Sequence, residues 1–185
     1  GGKGSQKVAT IKIQQGLDAF FSELKDKARE NAISFKIIPS ANTQSTYDDF
    51  IRSVENSPES FNLLLVDSDE AVDKEARLFL QSKYKKWKLR KVKDEQCHLM
   101  VQIMESWFIA DIDALKRFYG KDFKDSAIPK NKNVETVAKD TVEKSLKTAT
   151  AKTQKAEYHK IKHGAKILEI INPQKVREAA THCDR

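Results

Sequence analysis

Two apolar runs constrain what this chain can fold into more than any other feature. Residues 61–66 read FNLLLV and stop abruptly at Asp67, and residues 97–103 read CHLMVQI and stop shortly before Glu105. Runs that are mainly apolar at consecutive positions, rather than at every second one, are typical of strands covered on both faces, as in a parallel sheet. The sequence therefore predicts buried parallel strands here.

Helical segments flank both runs. Residues 34–39 read as a further short strand that Pro39 ends, and residues 121–133 read as a loop. Strands that alternate with helices predict an α/β fold, with a mostly parallel sheet flanked by helices and a helical C-terminal part. The segments with helical spacing of apolar residues are 6–29, 43–56, 105–111, 134–146, 158–171 and 173–180, the last opened by Pro173.

The length and composition fit one domain over residues 1–185, with a sheet-bearing part at 1–120 and a helical part at 121–185. No apolar run approaches the roughly 18–20 residues of a membrane span. The N-terminus lacks the apolar stretch of a secretory signal. The two cysteines, Cys97 and Cys183, are too few and too far apart for a disulfide scaffold. We therefore expect a cytoplasmic protein.

Acidic residues follow both buried runs. Asp67 and Asp69 come directly after the first run, and Glu105 follows the second. Sites in parallel sheets form beyond the carboxyl ends of the strands. Neighbouring carboxylates repel one another unless a cation intervenes, and Mg²⁺ or Mn²⁺ suits such oxygen ligands. These three residues are therefore candidate metal ligands and catalytic residues.

Two other interpretations of these acids stay open. They can cap helix amides and favour the helix dipole without binding any ion. Asp67 after an apolar strand also fits a phospho-acceptor.

The excess positive charge is concentrated in residues 74–93. This segment carries nine basic residues and one acid, a net charge of +8 against +7 for the whole chain. A local field of that kind attracts polyanions, nucleic acid first, although it can also be an ordinary solvated surface. Together with a second lysine-rich stretch at residues 144–166, it gives these candidate nucleic-acid contacts: Lys83, Lys85, Lys86, Lys88, Arg90, Lys152, Lys155, Tyr158 and Lys160.

Four motifs together resemble a known family: GGKGS at residues 1–5, LLLVDSD at 63–69, CHLMVQIMESWF at 97–108 and YHK at 158–160. They are similar to an uncharacterised bacterial family of Toprim-like domains, domain of unknown function 4276. Its members are often encoded beside an ABC- or AAA-type ATPase in defence loci.

The resemblance implies a magnesium site for phosphodiester cleavage or transfer. Toprim domains hold Mg²⁺ with a Glu after their first strand and an Asp-x-Asp after a later strand, and Asp67 and Asp69 match that pair. The first-strand Glu would fall immediately before Gly1, so this sequence departs from the pattern. We expect the missing strand and its Glu upstream.

The sequence thus favours a Mg²⁺- or Mn²⁺-dependent nuclease domain of an ATPase-coupled antiviral defence system. Its expected partners are nucleic acid, DNA in preference to RNA, and an ABC- or AAA-type ATPase. The alternative is a catalytically inert subunit that binds nucleic acid or the ATPase. Aspartate side chains that point apart, or a salt bridge between either aspartate and a lysine, would overturn the nuclease interpretation that rests on the pair Asp67 and Asp69.

Overall fold

The computed structural model describes residues 2–184, with side chains from residue 8 onward. This part of the chain is mostly helical and contains one pair of parallel strands. The expected strand and glutamate before Gly1 lie outside the described residues. The elements are α1 (Gly2–Phe20), α2 (Ser22–Glu30), α3 (Thr43–Asn56), β1 (Leu64–Asp67), α4 (Ala76–Lys83), β2 (Cys97–Met100), α5 (Glu105–Ala110), α6 (Ile112–Tyr119), α7 (Lys139–Thr150), α8 (Lys160–Leu168) and α9 (Pro173–Ala179).

β1 and β2 pair in parallel, with Leu64 opposite Cys97 and Asp67 opposite Met100. The predicted parallel pairing is confirmed, but only every second residue of each strand is fully buried, so the expected cover on both faces is incomplete. The prediction of a further strand at residues 34–39 is not met, because that segment has no strand pairing. It lies against α1 instead, where the Gln14 side chain donates a hydrogen bond of 3.1 Å to the Ile37 carbonyl.

Helix boundaries follow local capping chemistry. α3 begins and ends where the sequence predicts. Its start is fixed by a capping box, because the Asn42 side chain accepts from the Ser45 amide and Ser45 Oγ accepts from the Asn42 amide. The helix predicted from residue 134 begins only at Lys139, because residues 134–136 form a 3₁₀ turn capped by Asn133. Pro173 is the first residue of α9, as predicted.

The helix predicted at residues 6–29 divides into α1 and α2. The chain turns at Phe21, where the rings of Phe20 and Phe21 both reach Trp107 of α5, at centroid distances of 4.9 and 6.5 Å. Aromatic packing against α5 therefore accompanies the break in this long amphipathic pattern. Among residues 2–184, no helix is both long and apolar enough to cross a membrane.

Two hydrophobic clusters organise the packing. One surrounds the sheet and includes Leu64, Leu99 and Trp87. The other surrounds α5 and includes Trp107 and Phe108. The chain passes from β2 directly into α5, so the carboxyl edge of the sheet lies where the two clusters meet. Of the acids that follow the strands, Glu105 and Asp67 are largely enclosed here, whereas Asp69 is exposed.

Gly16 is the point of closest approach between α1 and α8. A methyl group added at Gly16 would lie 2.6 Å from the Ala165 carbonyl oxygen and 3.0 Å from Leu168 Cβ. Contact with a backbone atom cannot be relieved by rotating a side chain. The glycine is therefore required by the packing of these two helices.

We predict that Gly16→Ala lowers the free energy of unfolding. Overpacking costs about 1–3 kcal/mol, while the better helix propensity of alanine returns at most about 1 kcal/mol. Urea denaturation measures the difference. Gln15→Ala, at an exposed neighbouring position of the same helix, serves as the control and should be neutral or slightly stabilising. A Gly16→Ala protein as stable as the wild type would contradict this packing.

Candidate functional site

Both strands end in an unusual backbone turn. Beyond β1, the Ser68 amide donates to the Met100 carbonyl at 3.1 Å and the Asp69 amide donates to the Gln102 carbonyl at 2.7 Å. Asp69 and Gln102 have φ values of 60° and 63°, in the left-handed region that non-glycine residues seldom adopt. Such strained backbone gathers at functional sites, which directs attention to this edge of the sheet.

Asp67 and Glu105 share one lysine. Asp67 Oδ2 lies 3.6 Å and Glu105 Oε2 lies 3.3 Å from Lys160 Nζ. The second oxygen of each acid is fixed by another donor: the Met104 amide donates to Asp67 Oδ1 at 2.8 Å, and the Tyr158 hydroxyl donates to Glu105 Oε1 at 2.7 Å. The Glu105 side chain is only 3% exposed. One ammonium group thus offsets the repulsion between two largely enclosed carboxylates.

Asp69 has lysine partners of its own. Its Oδ1 accepts from Lys139 Nζ at 2.7 Å, and its Oδ2 lies 3.6 Å from Lys83 Nζ. Lys83 also donates to the Ser68 carbonyl. Both aspartates are therefore paired with lysines, which is the arrangement that argues against a metal role. The argument is strongest for Asp69, whose bond to Lys139 is short.

The pKa values follow from these surroundings. Burial raises the pKa of Asp67 from 3.8 to about 6, with Lys160 opposing and Glu105 adding to the rise. Burial also acts to raise the pKa of Asp69, but the hydrogen bond and charge of Lys139, together with Lys83, bring it below 3.8. Burial lowers the pKa of Lys160, yet Glu105 and Asp67 raise it overall. Lys160 therefore stays protonated at neutral pH.

These side chains could bind a divalent ion only as a pair of carboxylates, with the remaining ligands supplied by water and substrate phosphate. Mg²⁺ in proteins is commonly held by one or two carboxylates, with water and substrate phosphate completing the shell. Asp67 and Glu105 direct one oxygen each towards a common positive charge, which meets that minimum. Among the described side chains, no group of three or more His, Cys, Asp or Glu could hold a metal ion. A cage built wholly from these residues is therefore not present.

The first basic stretch is held by a stack of three aromatic side chains. Trp87 lies between Tyr47 and Tyr84, at centroid distances of 4.2 and 4.1 Å. The Lys88 amide donates to the Tyr47 hydroxyl at 2.6 Å. This stack holds a loop whose predicted nucleic-acid contacts Lys85, Lys86, Lys88 and Arg90 are all exposed. Lys83, from the same prediction, instead turns towards Asp69.

In the second basic stretch, some of the predicted contact residues are exposed and others lie at the acidic site. Lys152 and Lys155 are exposed, and Lys152 lines an open groove of about 720 Å³ along α7. Tyr158 and Lys160 differ from the prediction. Tyr158 is buried and its hydroxyl is bound to Glu105, so its ring is not available for base stacking. The Lys160 side chain is half-exposed, but its ammonium group lies beside Asp67 and Glu105, so it is already paired with acids.

Sequence reasoning missed three residues of this site: Ser68, Gln102 and Lys139. Ser68 Oγ accepts from the Gln102 amide at 2.8 Å, and Gln102 Oε1 accepts from the Lys139 amide at 3.1 Å. This chain of bonds joins the strand ends to the start of α7. One signal was available. Lys139 and Lys160 each occupy the first position of a helix, where the helix dipole disfavours a cation.

The family model described as a domain of unknown function (DUF4276) matches residues 6–185. The chain belongs to this family. No curated protein and no solved structure matches the chain significantly. Membership confirms domain of unknown function 4276 as the family, while its Toprim-like character and its defence setting stay predictions. The family's description names no activity, so the function of this DUF4276 chain has to be argued from its site.

We predict that Asp67→Asn becomes relatively more stable as pH rises. An acid with a higher pKa in the folded state favours folding at low pH and loses that contribution between its unfolded and folded pKa values, here from 3.8 to about 6. Asparagine does not titrate and can still accept from the Met104 amide. Urea denaturation from about pH 4 to about pH 7 should therefore show the variant gaining on the wild type.

Asp69→Asn is the matched control. Because the pKa of Asp69 lies below 3.8 in the folded chain, its contribution is complete above that value. Its difference from the wild type should stay constant over the same pH range. A constant difference for Asp67→Asn as well would contradict the burial of the Asp67 charge.

Proposed function

We propose that this chain is a Toprim-like, divalent-metal-dependent nuclease domain that acts on nucleic-acid phosphodiesters. The observation that carries the proposal is the pair Asp67 and Glu105, which share one positive charge at the carboxyl ends of two parallel strands. That edge is where parallel sheets bind ligands. Two carboxylates completed by phosphate and water suit Mg²⁺ or Mn²⁺.

The side chains around the pair have roles in this proposal. A bound ion would polarise the scissile phosphate and lower the pKa of an attacking water. Asp67 and Glu105 would hold the ion, and the Met104 amide and the Tyr158 hydroxyl fix the orientation of their carboxylates. Asp69 would join as a third ligand only by giving up Lys139, its partner at 2.7 Å.

The basic surfaces supply substrate binding. The exposed lysines and arginine of the loop beside Trp87 can contact phosphates without reading bases. Lys139 and Lys83 bring further positive charge next to the acids. Binding is expected to be sensitive to salt and largely independent of sequence. We propose DNA in preference to RNA as the substrate.

The partner and the setting rest on the resemblance alone. We propose an ABC- or AAA-type ATPase as partner and bacterial antiviral defence in the cytoplasm as the setting. Family membership is compatible with both and adds no further support, since the family's description names neither.

A second candidate function has an observation of its own. Each of the three acids pairs with a lysine, most closely Asp69 with Lys139 at 2.7 Å. Ion pairs of this kind can hold β1, α5, α7 and α8 together without chemistry. The chain would then be a catalytically inert subunit that binds nucleic acid or the ATPase.

We predict that the full natural polypeptide cleaves DNA with Mg²⁺ or Mn²⁺ and that Asp67→Asn and Glu105→Gln each abolish cleavage. Both substitutions keep the shape and remove a charge that would hold the ion. Gel assays with and without chelator measure cleavage, and fluorescence anisotropy measures DNA binding, which should persist. Asp26→Asn, which removes an exposed helix acid paired with Arg29, is the matched control and should cleave normally.

Two results would decide against the nuclease. Cleavage that survives both substitutions would remove these acids from the chemistry. A wild-type protein that binds DNA or the ATPase, yet stays inert with either metal, would favour the binding subunit.

We predict that replacing Lys85, Lys86, Lys88 and Arg90 together by Gln weakens DNA binding and flattens its dependence on salt. Each lost phosphate contact reduces the slope of log K against log salt by about 0.9 for duplex DNA. The control exchanges four other exposed lysines, Lys27, Lys36, Lys130 and Lys132, for the same change of charge. Equal weakening in both proteins would show a net-charge effect and no specific surface.

A further inference from the structure

We infer that Lys160 is an exchangeable counter-ion that a divalent cation must displace from Asp67 and Glu105. Its ammonium group thereby sets the free metal concentration at which the site fills. The inference deepens the proposed function and rests on it for the identity of the ligand. It concerns regulation of the site by this chain's own residue.

Lys160 forms a salt bridge to both Asp67 and Glu105, and the hydrogen bonds of the carboxylate oxygens distinguish this bridge from a purely structural one. Asp67 and Glu105 each have one oxygen fixed by a hydrogen-bond donor, the Met104 amide and the Tyr158 hydroxyl. Among the described residues, Lys160 is the one basic side chain that pairs with the other oxygen of each acid. Two oxygens thus face one cation, and each belongs to a carboxylate whose other oxygen is held by a hydrogen-bond donor.

The bridge is also loose. Its distances of 3.3 and 3.6 Å exceed those of strong charge-assisted hydrogen bonds, about 2.7–2.9 Å. The tight pair of Lys139 and Asp69, at 2.7 Å, is a contrast within the same site. Because the ammonium group is in optimal contact with neither acid, its displacement by another cation costs less interaction energy.

The position of Lys160 in its helix favours release. It is the first residue of α8, whose first turn contains no acid. The positive end of the helix dipole opposes a cation there, so the two carboxylates are what hold it inward. The side chain is 53% exposed, which leaves it a path to solvent.

Lys175 provides a matched structural bridge. Its Nζ lies 2.9 Å from both Asp111 Oδ1 and Asp113 Oδ2. In that case both Asp111 oxygens already accept from backbone amides, those of Ala114 and Asn172. Both Asp111 oxygens thus already have amide donors, and Asp113 is an exposed carboxylate, so removing Lys175 should not create a metal site.

The test compares Mn²⁺ affinity in the full natural polypeptide by electron paramagnetic resonance. Lys160→Met should bind Mn²⁺ at least about tenfold more tightly than the wild type, a factor that corresponds to about 1.4 kcal/mol. Lys160→Arg, which keeps the charge, and Lys175→Met should bind no more tightly than the wild type. Equal affinity in Lys160→Met and wild type, or no saturable binding by Lys160→Met, would overturn the inference.

A second measurement needs no variant and so survives a folding defect in Lys160→Met. Acetylation of the wild type, followed by mass spectrometry, should modify Lys160 several-fold faster with Mn²⁺ than without it, while Lys175 reacts at an unchanged rate. An unchanged or slower rate at Lys160 would contradict displacement. If Mn²⁺ displaces Lys160 and no nucleic acid is cut, the inference stands and the nuclease proposal fails. If nucleic acid is cut without displacement of Lys160, the nuclease proposal stands and the inference fails.

Discussion

The structure depends on the single positive charge between Asp67 and Glu105. These carboxylates follow two different strands and come together because β1 and β2 are parallel and in register. Lys160 makes their proximity tolerable, and Tyr158 fixes the carboxylate that is buried most deeply. The bridge therefore joins the sheet, α5 and the start of α8. Any function of this edge must either keep that charge or replace it.

The strand ends also help to explain why Lys139 and Lys160 lie here. Ser68 and Gln102 join the two strands past their last regular pair, and Gln102 holds the start of α7. α7 and α8 thus both begin beside the acids, and each begins with a lysine. The N-terminus of a helix normally attracts anions. Here the N-termini of α7 and α8 instead place lysines beside Asp69 and Asp67. This balance suits a site that exchanges charged ligands, and equally a site that is purely structural.

Much of this arrangement can be predicted from the sequence. Consecutive apolar residues identify both strands, and their parallel pairing brings Asp67 and Glu105 to one edge. The partners of these acids cannot be predicted, because Lys160 and Lys139 lie 93 and 70 residues away from Asp67 and Asp69 along the chain, by subtraction of the residue numbers. Tyr158 could not be identified as buried, since an aromatic residue among lysines gives no sign of which side chain turns inward.

The most direct test of the account is anomalous diffraction from crystals soaked in Mn²⁺. The account predicts one strong peak bounded by Asp67 Oδ2 and Glu105 Oε2, with the Lys160 side chain moved away from both oxygens. A map without a peak at this position, with Lys160 still between the two carboxylates at saturating Mn²⁺, would contradict it.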